Sequence, residues 1–600
     1  MFPANKNTLN QSVKRVRIWY GLLILVVAIF GVRLFYVQII HYGYYKTAAL
    51  SDQLKQYQIP ATRGIIEAHD GDNILPIVLN QQLYTLYADP TYVKKPDDAA
   101  GKVAGIIGGD EAGYAKLMRT QDTRYVVLAK KLTTDQSNKL LGLKIPGLGT
   151  QAQDYRTYPQ GSLAAQVLGF VNNDGVGEYG LEQAFNKQLT GKPGQVKAVT
   201  DVNGVPLAAT KGNVETTPTD GDKIVTSLDL SMQAQMEQIL SQEYQKTHSQ
   251  GLSAIIMDPN TGQIKAMANY PTFDPGNYQD VSDSSVFENA AVTNPIEPGS
   301  TMKVLTTAAA LDQGIINPNT TFYDPAHWLV DGFNITDIEE DGGPRTQSIA
   351  SLLNLSLNTG ATWLLMQMGG GQINTKARNA WYDYMSNHFR LGQPTGVEQG
   401  YESDGLIPKP QDNGAGIDLT YANTSFGQAV QITALQMAAA DSAVLNGGTY
   451  YQPTLIDQTI DATGHATTNK PKVLKTHVVS PKVSQEMLPL MQYVVEQHLQ
   501  EGFNYLNFDQ NNYTVGGKTG TAQVATSHGY STTEYTASFV GMVPASHPRL
   551  VVLVKVDDPR GSIFGGVVAA PAFASIARFD LQYLEVPPDA PKTLTSATTG

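Results

Sequence analysis

The segment EPGSTMKVLTTAAALDQG, from Glu297 to Gly314, places a serine and a lysine three residues apart at the start of an alanine-rich stretch. The Pro-Gly pair before Ser300 predicts a turn, and the residues that follow predict a helix. If that helix begins near Ser300, the side chains of Ser300 and Lys303 project from one face. The pair can be a helix cap beside an exposed charge, or a nucleophile beside the base that activates it.

The second interpretation makes chemical demands on both residues. A serine hydroxyl is a weak nucleophile unless a neighbouring base removes its proton. Lysine can be that base only if burial or another cation lowers its pKa from about 10.4 toward neutrality. At the start of a helix, Ser300 would also lie near unpaired N–H groups and the positive end of the helix dipole, which would stabilise an oxyanion. An isolated S-x-x-K is usually a cap, so this segment alone leaves both interpretations open.

Two further short motifs follow along the chain. Ser356 and Asn358 are separated by one residue in LLNLSLNTGATW, and the Gly-flanked strand YTVGGKTGTAQ carries a Lys-Thr-Gly-Thr run that begins at Lys518. The chain thus contains S-x-x-K, S-x-N and K-T-G in this order. The set resembles that of the penicillin-recognising serine acyltransferases, which are the penicillin-binding proteins and the serine β-lactamases. One such motif is a weak indication, whereas three in order are a strong one.

The resemblance implies a role for each matching residue. Ser300 would attack the carbonyl of a D-Ala-D-Ala peptide bond, and Lys303 would take its proton. Ser356 would relay a proton to the leaving amine, and Asn358 would hydrogen-bond the substrate amide. The terminal carboxylate of the substrate would be bound by the charge and hydroxyls of the run Lys518, Thr519, Gly520 and Thr521, where the glycine allows close approach. The backbone N–H groups of Ser300 and Thr521 would form the oxyanion hole.

Composition limits the kind of protein further. The chain has 600 residues, enough for two to four domains, and its formal net charge of −12 argues against a nucleic-acid-binding protein. It contains no cysteine, so disulfides and thiolate metal sites are excluded. The histidines show no metal-ligand spacing, and neither a metal nor a cofactor is predicted.

An apolar segment near the N-terminus predicts a membrane anchor. The charge-free run IWYGLLILVVAIFGV starts at Ile18, and the segment continues to Ile40 with Arg33 as its only charge. As a helix it would span roughly 34 Å, which is enough to cross a bilayer. Basic residues precede it, aromatic residues flank it, and no A-x-A cleavage site follows. A retained anchor with its N-terminus inside is therefore favoured over a cleaved signal peptide or a buried core helix.

The rest of the chain predicts an α+β protein. The part before the polar stretch TTPTDGDK (216–223) is strand-rich, and the part after it has helices clustered between N-terminal and C-terminal strands. The predicted architecture is a single transmembrane helix, a strand-rich elongated pedestal, and a penicillin-binding or β-lactamase-like transpeptidase domain with an antiparallel sheet covered by helices. The predicted boundaries are a cytoplasmic tail at 1–17, the transmembrane anchor at 18–40, a pedestal or dimerisation-like domain at 41–220, the transpeptidase domain at 221–585 and a disordered tail at 586–600.

Longer motifs narrow the resemblance to class B penicillin-binding proteins. ATRGIIEAHDG near residue 63, RTYPQGSLAAQVLGFV from Arg156 and GEYGLEQAFNKQLTGKPG from Gly177 look like the pedestal motifs of that class. FGQAVQITALQMAAADSAVLNGG and SFVGMVPASHPRLVVLVKVDDP look like its transpeptidase domain. The resemblance covers the chain from the anchor to about residue 585.

The chain departs from the family pattern at two places. Ala68 and His69 stand where the family usually has an Asp-Arg pair, which puts a usual polar contact in doubt. Ala429 stands where the family has the last glycine of G-Q-G, a smaller change near the cleft.

Other conspicuous residues are given structural interpretations. Arg63, Arg156 and Glu182 are expected to pair with one another rather than to catalyse. His528 and Tyr530 lie in the loop after K-T-G and could gate the cleft, but a solvated loop is the favoured interpretation.

The resemblance implies a bacterial peptidoglycan D,D-transpeptidase that works through a serine acyl-enzyme and is inhibited covalently by β-lactams. The alternatives are a β-lactamase or D,D-carboxypeptidase that hydrolyses the acyl-enzyme, and a membrane β-lactam sensor. Between Ser356 and Lys518, no glutamate has an asparagine four residues on, as the commonest β-lactamases would show. Seventeen cytoplasmic residues are too few for a signalling domain. Septal and side-wall enzymes share these motifs, so the choice between cell division and cell shape stays open.

The resemblance also implies partners. These are stem peptides ending in D-Ala-D-Ala, β-lactams, a membrane glycan polymerase and other wall-synthesis proteins, whereas nucleic acid is not expected. Residues 41–220 match the class B pedestal and contain no glycosyltransferase-like lobe, so a separate polymerase is expected. Gly21, Ala28 and Gly31 would allow a second transmembrane helix to approach the anchor closely.

Overall fold

A computed structural model describes most of the chain. The described residues are 6–46, 54–199, 214–337, 343–410, 416–508, 512–526 and 529–589. The chain divides into two compact units, residues 1–62 with 191–220 and residues 63–190 with 221–600.

The described secondary structure comprises strands β1 to β23 and α-helices α1 to α18. The strands are β1 (Leu54–Ile59), β2 (Ile66–Asp70), β3 (Asn73–Ala88), β4 (Val126–Leu132), β5 (Leu148–Thr157), β6 (Phe170–Val171), β7 (Gly177–Glu178), β8 (Gly194–Val199), β9 (Val214–Thr216), β10 (Lys223–Asp229), β11 (Gly251–Met257), β12 (Ile264–Tyr270), β13 (Thr321–Asp324), β14 (His327–Val330), β15 (Phe333–Thr336), β16 (Arg345–Ser348), β17 (Thr449–Tyr451), β18 (Ile456–Ile460), β19 (Ala466–Thr468), β20 (Val473–Thr476), β21 (Gly516–Thr526), β22 (Gly529–Val543) and β23 (Leu550–Asp557). The helices are α1 (Lys6–Phe35), α2 (Pro96–Ile107), α3 (Glu111–Met118), α4 (Thr134–Gly142), α5 (Ala165–Leu168), α6 (Gly180–Ala184), α7 (Asn186–Thr190), α8 (Leu230–Thr247), α9 (Ala290–Thr293), α10 (Met302–Asp312), α11 (Ile349–Asn354), α12 (Asn358–Met368), α13 (Thr375–Tyr382), α14 (Ile417–Ser425), α15 (Ala434–Leu445), α16 (Pro481–Gln500), α17 (Gly565–Val568) and α18 (Ala570–Tyr583).

The first unit contains the apolar N-terminal helix and a small sheet. Residues Val16–Ile40 are long and apolar enough to cross a membrane, with a mean hydropathy of 2.4, and none of that window is buried among the described residues. This exposure contradicts the alternative of a buried core helix and fits a helix that faces lipid. In the same unit, β1, β8 and β9 form a three-stranded antiparallel sheet.

In the second unit, the pedestal strands join a larger sheet. Its order is β19-β18-β10-β2-β3-β4, and β5 also pairs with β3. β10 is parallel to β2 and antiparallel to β18, so this strand connects the pedestal to strands that come much later in the chain. Helices α2 to α4 pack on β3 and β4 through a small core that includes Leu86, Val103, Met118 and Leu140. The strand-rich pedestal is confirmed.

A buried charge cluster ties three pedestal segments together. Glu182 is fully buried, and its carboxylate accepts from Arg63 Nε at 2.9 Å and from Arg156 Nε at 2.6 Å. Both arginine side chains are also largely buried. The predicted pairing of these three residues is confirmed.

The cluster gives a prediction for stability. Replacing Glu182 by glutamine should lower the free energy of unfolding by about 3–5 kcal/mol, because it leaves two buried guanidinium groups without their carboxylate. Urea titration of the full-length protein in detergent, followed by tryptophan fluorescence, measures this loss. Glu67→Gln is the matched control, since Glu67 pairs with the partly exposed Lys223 and should cost about 1 kcal/mol or less. Equal losses in the two variants would contradict the assignment.

The first departure from the family pattern has a clear structural outcome. Ala68 is fully buried in β2, and His69 Nε2 lies 3.3 Å from Asp457 Oδ2 on β18. A polar contact therefore exists at this position, made by the histidine.

The predicted transpeptidase domain is built on a five-stranded antiparallel sheet of order β12-β11-β23-β22-β21. Alternate residues of each strand face opposite cores. On β23, Val552 and Val554 pack with α8 and α18, whereas Val551 and Leu553 pack in the larger core that contains α10 and α15. Helices thus cover both faces of the sheet, as the α+β prediction requires, and β21 lies at its edge.

The predicted tail starts at residue 586, and the structure describes its first four residues. Val586 is buried, and the Asp589 carboxylate accepts from Thr514 N at 2.7 Å. Residues 590–600 of the predicted tail lie outside the described residues. The predicted start of the tail at residue 586 is therefore too early, and disorder of residues 590–600 stays a prediction.

Candidate active site

The nucleophile turn is a short 3₁₀ turn, Gly299–Thr301, that leads directly into α10. Thr301, not Ser300, occupies the capping position of α10, and its hydroxyl donates to Pro298 O at 2.8 Å. Ser300 is 8% exposed, and its Oγ lies 3.0 Å from Lys303 Nζ. The interpretation of Ser300 as a helix cap is therefore wrong.

Lys303 is fully buried on the first turn of α10, and its amine is surrounded by oxygen atoms. Besides Ser300 Oγ, its Nζ contacts Asn358 Oδ1 at 2.8 Å, Ser356 Oγ at 3.2 Å and the backbone carbonyl of Ser356. The two carbonyl oxygens can only accept hydrogen bonds. A neutral amine would donate its two N–H groups to them and keep its lone pair for a serine hydroxyl.

The surroundings favour that neutral amine. Burial lowers the pKa of Lys303 well below its ordinary value, and the nearby charge of Lys518 lowers this pKa further. The carboxylate of Asp337 acts in the opposite direction and raises it. Desolvation is the largest cause of the lowered pKa. Burial of Lys303 on α10 therefore favours the neutral amine, which is the form that can act as the base.

Ser356 lies between the two lysines. It connects α11 to α12 and has a φ of +57°, a left-handed conformation that is strained for a residue with a side chain. Its Oγ is 3.2 Å from Lys303 Nζ and 3.0 Å from Lys518 Nζ. The tight connection between two helices thus places one hydroxyl where it can exchange protons with either amine.

Asp337 is a site residue that the sequence analysis missed. Its carboxylate accepts from the backbone N–H groups of Asn358 and Thr359 and from Thr359 Oγ1, the last at 3.0 Å. It therefore caps the N-terminus of α12 from a distant segment. Burial raises the pKa of Asp337, while the Lys303 charge lowers it. No local motif marks this aspartate, which follows β15 and reaches the site only through the fold.

Asn358 is held by the same segment. Its Oδ1 accepts from Lys303, and its Nδ2 donates to Thr336 O at 2.9 Å. An amide nitrogen carries two hydrogens. One hydrogen of Asn358 Nδ2 is directed to Thr336 O, and the other can be donated to a ligand.

The K-T-G residues lie on β21, at the edge of the sheet. Lys518 is fully buried, and its Nζ contacts Ser356 Oγ, Thr519 O at 3.1 Å and Thr519 Oγ1 at 3.3 Å. At Gly520, a Cβ would lie 2.3 Å from Ser538 Oγ and 2.9 Å from Pro298 O. Only glycine therefore lets this strand approach the nucleophile turn so closely.

These groups surround a cleft of about 530 Å³. Ser300, Asn358 and Thr521 line it, and Asp337 lies at one side. Its apolar lining is formed by Phe333, Ile335, Leu419, Phe426 and Ile563. The structure thus brings the three motifs to one cleft, with Lys303, Ser356 and Lys518 beside it. The Thr519 hydroxyl does not line the cleft and instead accepts from Lys518 Nζ. Among the described residues, no group of three or more His, Asp or Glu side chains could hold a metal ion.

Comparison with known proteins gives the family. Residues 252–578 match the penicillin-binding protein transpeptidase domain, and residues 58–226 match the penicillin-binding protein dimerisation domain. The chain belongs to the class B penicillin-binding proteins. Among the curated relatives of this penicillin-binding protein, stage V sporulation protein D of Bacillus subtilis (strain 168) is 32% identical over 586 residues, covering 96% of this chain and 87% of that protein. Peptidoglycan D,D-transpeptidase FtsI of Escherichia coli (strain K12) is 27% identical, covering 90% of this chain and 86% of that protein.

Solved structures of similar proteins support the same assignment. Penicillin-binding protein 2X from Streptococcus thermophilus is 26% identical with a TM-score of 0.69, covering 88% of this chain and 81% of that one. Penicillin-binding protein 3 from Mycobacterium tuberculosis, complexed with aztreonam, is 25% identical with a TM-score of 0.66, covering 89% and 99%. The predicted family and its two-domain fold are confirmed.

Proposed function

We propose that this penicillin-binding protein is a peptidoglycan D,D-transpeptidase that cross-links stem peptides through an ester on Ser300. The observation that carries the proposal is the buried Lys303 amine 3.0 Å from the Ser300 hydroxyl, inside the matched transpeptidase domain. The relative from Escherichia coli is named a peptidoglycan D,D-transpeptidase, which supports the same activity here.

In the acylation step, Ser300 Oγ attacks the carbonyl carbon of a D-Ala-D-Ala peptide bond and gives its proton to neutral Lys303. The oxyanion lies against the backbone N–H groups of Ser300 and Thr521. The C–N bond then breaks, and Ser356 passes a proton from the lysine pair to the departing D-Ala amine. Lys518 and the threonines of β21 hold the substrate carboxylate, and Asn358 holds the substrate amide.

In the second step, a neutral amine from another stem peptide attacks the ester. It loses a proton as the new amide forms, and Ser300 Oγ takes a proton back as it leaves. The products are one cross-link and the free enzyme, so atoms and charge balance. A β-lactam enters the same first step, and because its amine stays attached after ring opening, the acyl-enzyme persists.

The proposal includes the membrane topology. Lys14, Arg15 and Arg17 precede the apolar span Val16–Ile40 or lie at its start, and positive residues favour the cytoplasmic side. We place the N-terminus in the cytoplasm, and the transpeptidase domain outside the bacterial cell membrane where peptidoglycan lies.

A separate glycan polymerase is the proposed partner. The family models that match this chain are a transpeptidase domain and a dimerisation domain, and neither is described as a glycan polymerase. On the anchor helix, a Cβ at Gly21 or Gly31 would meet no other atom within 4 Å, which leaves room for a second helix to approach.

A reconstituted assay tests the activity. Purified full-length protein is supplied with lipid-linked disaccharide-pentapeptide, with and without a purified glycan polymerase. Cross-linked muropeptides should form only when the polymerase is present, and penicillin should abolish them. With Ser300→Ala, glycan polymer should still form without cross-links.

Two outcomes would contradict the proposal in different ways. Release of free D-Ala without any cross-link would make the protein a carboxypeptidase. Glycan polymer made by this protein alone would remove the need for a separate polymerase.

A further inference from the structure

A second cluster of side chains lies next to the nucleophile turn. Glu297 Oε1 accepts a hydrogen bond from Ala429 N at 2.9 Å and another from the Tyr530 hydroxyl at 3.1 Å. The Ala429 N–H also lies 3.3 Å from Tyr530 Oη. Three segments that are distant in sequence meet here, and we call Glu297, Ala429 and Tyr530 the latch. Tyr530 is exposed, as the favoured interpretation expects, but it lies in β22 rather than in a loop and its hydroxyl contacts the protein, while His528 lies outside the described residues.

Glu297 is costly for the fold. Burial raises its pKa to about 7, although both hydrogen-bond donors lower it. Its second oxygen, Oε2, is buried and has no hydrogen-bond partner among the described residues. Glu297 itself is half-buried, but a buried carboxylate oxygen without a hydrogen bond still destabilises a protein. Local conflicts of this kind are expected at functional sites.

The latch is connected to Ser300 through a short length of backbone. Glu297 precedes Ser300 by three residues, and Gly299 N donates to Gly427 O at 3.0 Å. A Cβ at Gly299 would lie 2.7 Å from Thr521 O. The nucleophile turn is therefore packed between the turn that contains Gly427 and strand β21, and a side chain at Gly299 would not fit between them.

Ala429 explains why the backbone needs support there. Its φ of +55° is a left-handed conformation that glycine adopts without strain and alanine does not. The Glu297 carboxylate and the Tyr530 hydroxyl both lie within hydrogen-bond distance of its N–H. These contacts hold the strained residue in place. The alanine that replaces the last glycine of G-Q-G is therefore stabilised by the other two residues of the latch.

Tyr530 connects the latch to the other half of the site. It pairs with Ala525 near the end of the β21–β22 hairpin, four residues beyond Thr521 on β21. Because β21 is the edge strand, β22 is its only sheet neighbour among the described strands. The Tyr530 hydroxyl thus joins the hairpin end to Glu297, which lies two residues before the nucleophile turn.

We propose that the latch holds the backbone of Ser300 and Thr521 at a fixed separation, so that Glu297 and Tyr530 are positioning residues for acylation. The inference rests on the proposed function, because that separation matters at the oxyanion hole. A misplacement of about 1 Å costs roughly a hundredfold in rate. Breaking the latch therefore slows formation of the acyl-enzyme and leaves the initial, non-covalent binding of the ligand nearly unchanged.

Acylation kinetics with a fluorescent penicillin test the latch in the full-length protein. Stopped-flow measurements separate the dissociation constant of the first complex from the acylation rate constant. Tyr530→Phe keeps the ring and should acylate about tenfold more slowly, and Glu297→Ala about a hundredfold more slowly. The double variant should be no slower than Glu297→Ala, since both changes break one connection. Tyr323→Phe, at an exposed tyrosine outside the latch, is the control and should match the unmodified protein.

The outcomes separate the latch from the proposed function. If the unmodified protein is not acylated at all, the proposed function fails first. If the unmodified protein is acylated and Tyr530→Phe is acylated at the same rate, the proposed role of the latch is refuted and the proposed function is not. This test remains valid even if Glu297→Ala does not fold. If the losses in acylation rate constant of the two single variants multiply in the double variant, the two residues do not act as one latch. If each loss in rate is matched by a fall in the melting temperature of that variant, the residues have a purely structural role.

Discussion

Replacing Ser300 by alanine is expected to abolish covalent labelling by penicillin. The hydroxyl is 3.0 Å from Lys303 Nζ and lines the cleft, so its loss removes the atom that forms the ester. Removing a nucleophile that acts together with its base lowers turnover by a factor on the order of 10⁴ or more. Incubation with a fluorescent penicillin, gel electrophoresis and mass mapping of the labelled peptide in the unmodified protein measure this directly.

The fold should survive this change. Ser300 does not cap α10, and the change to alanine removes only a hydroxyl group from the wall of the cleft. We expect a melting temperature within about 2 °C of the unmodified protein. Ser351→Ala is a matched control that should label normally, because the Ser351 hydroxyl contacts Ser348 and does not line the cleft. Labelling that persists in Ser300→Ala, or a labelled peptide that lacks Ser300, would refute the assignment.

The parts of the site predicted from sequence are those set by local geometry. A spacing of three residues at a helix start puts Ser300 and Lys303 on one face, and no tertiary knowledge is needed for that step. The K-T-G run and its flanking glycines likewise predict an edge strand. The pedestal cluster of Arg63, Arg156 and Glu182 was also expected, because conspicuous charges in recognised motifs need partners when they are buried.

Other features depend on contacts that no spacing reveals. Asp337 and Glu297 are acids outside the catalytic motifs, and each becomes important only because the fold brings a distant N–H donor to it. The left-handed backbone of Ser356, which places its hydroxyl between two lysines, is another example. A residue with φ > 0 that is not glycine is set by its surroundings rather than by its own preference.

The interpretation of Tyr530 was right about its exposure and missed one contact for the same reason. A position in a turn-rich segment after a strand predicts solvent exposure, and the ring is indeed partly exposed. Its hydroxyl nevertheless reaches Glu297, which lies more than two hundred residues earlier in the chain. Sequence patterns predict the backbone of such a segment better than they predict which group the end of a long side chain contacts.

Lys303→Arg is expected to leave a folded protein that acylates about 10²–10⁴-fold more slowly. Arginine keeps the positive charge but does not lose its proton at any working pH, so it cannot accept the proton of Ser300. The acylation rate constant of the unmodified protein should rise with pH, because only the neutral amine is a base. Since burial lowers the pKa of Lys303, that rise should occur below the ordinary lysine pKa of about 10.4. The arginine variant should show no such rise.

Asp337 provides an independent check on this base. Its carboxylate raises the pKa of Lys303, so Asp337→Asn should lower that pKa and move the rise in acylation rate to lower pH. The asparagine can still accept a hydrogen bond from the α12 N–H groups, which limits the structural cost. Stopped-flow acylation across the pH range measures both variants. A rise that stays in place in Asp337→Asn, or a near-normal rate in Lys303→Arg, would move the base role away from Lys303, and Ser356 Oγ, 3.0 Å from Lys518 Nζ, would be the next group to test.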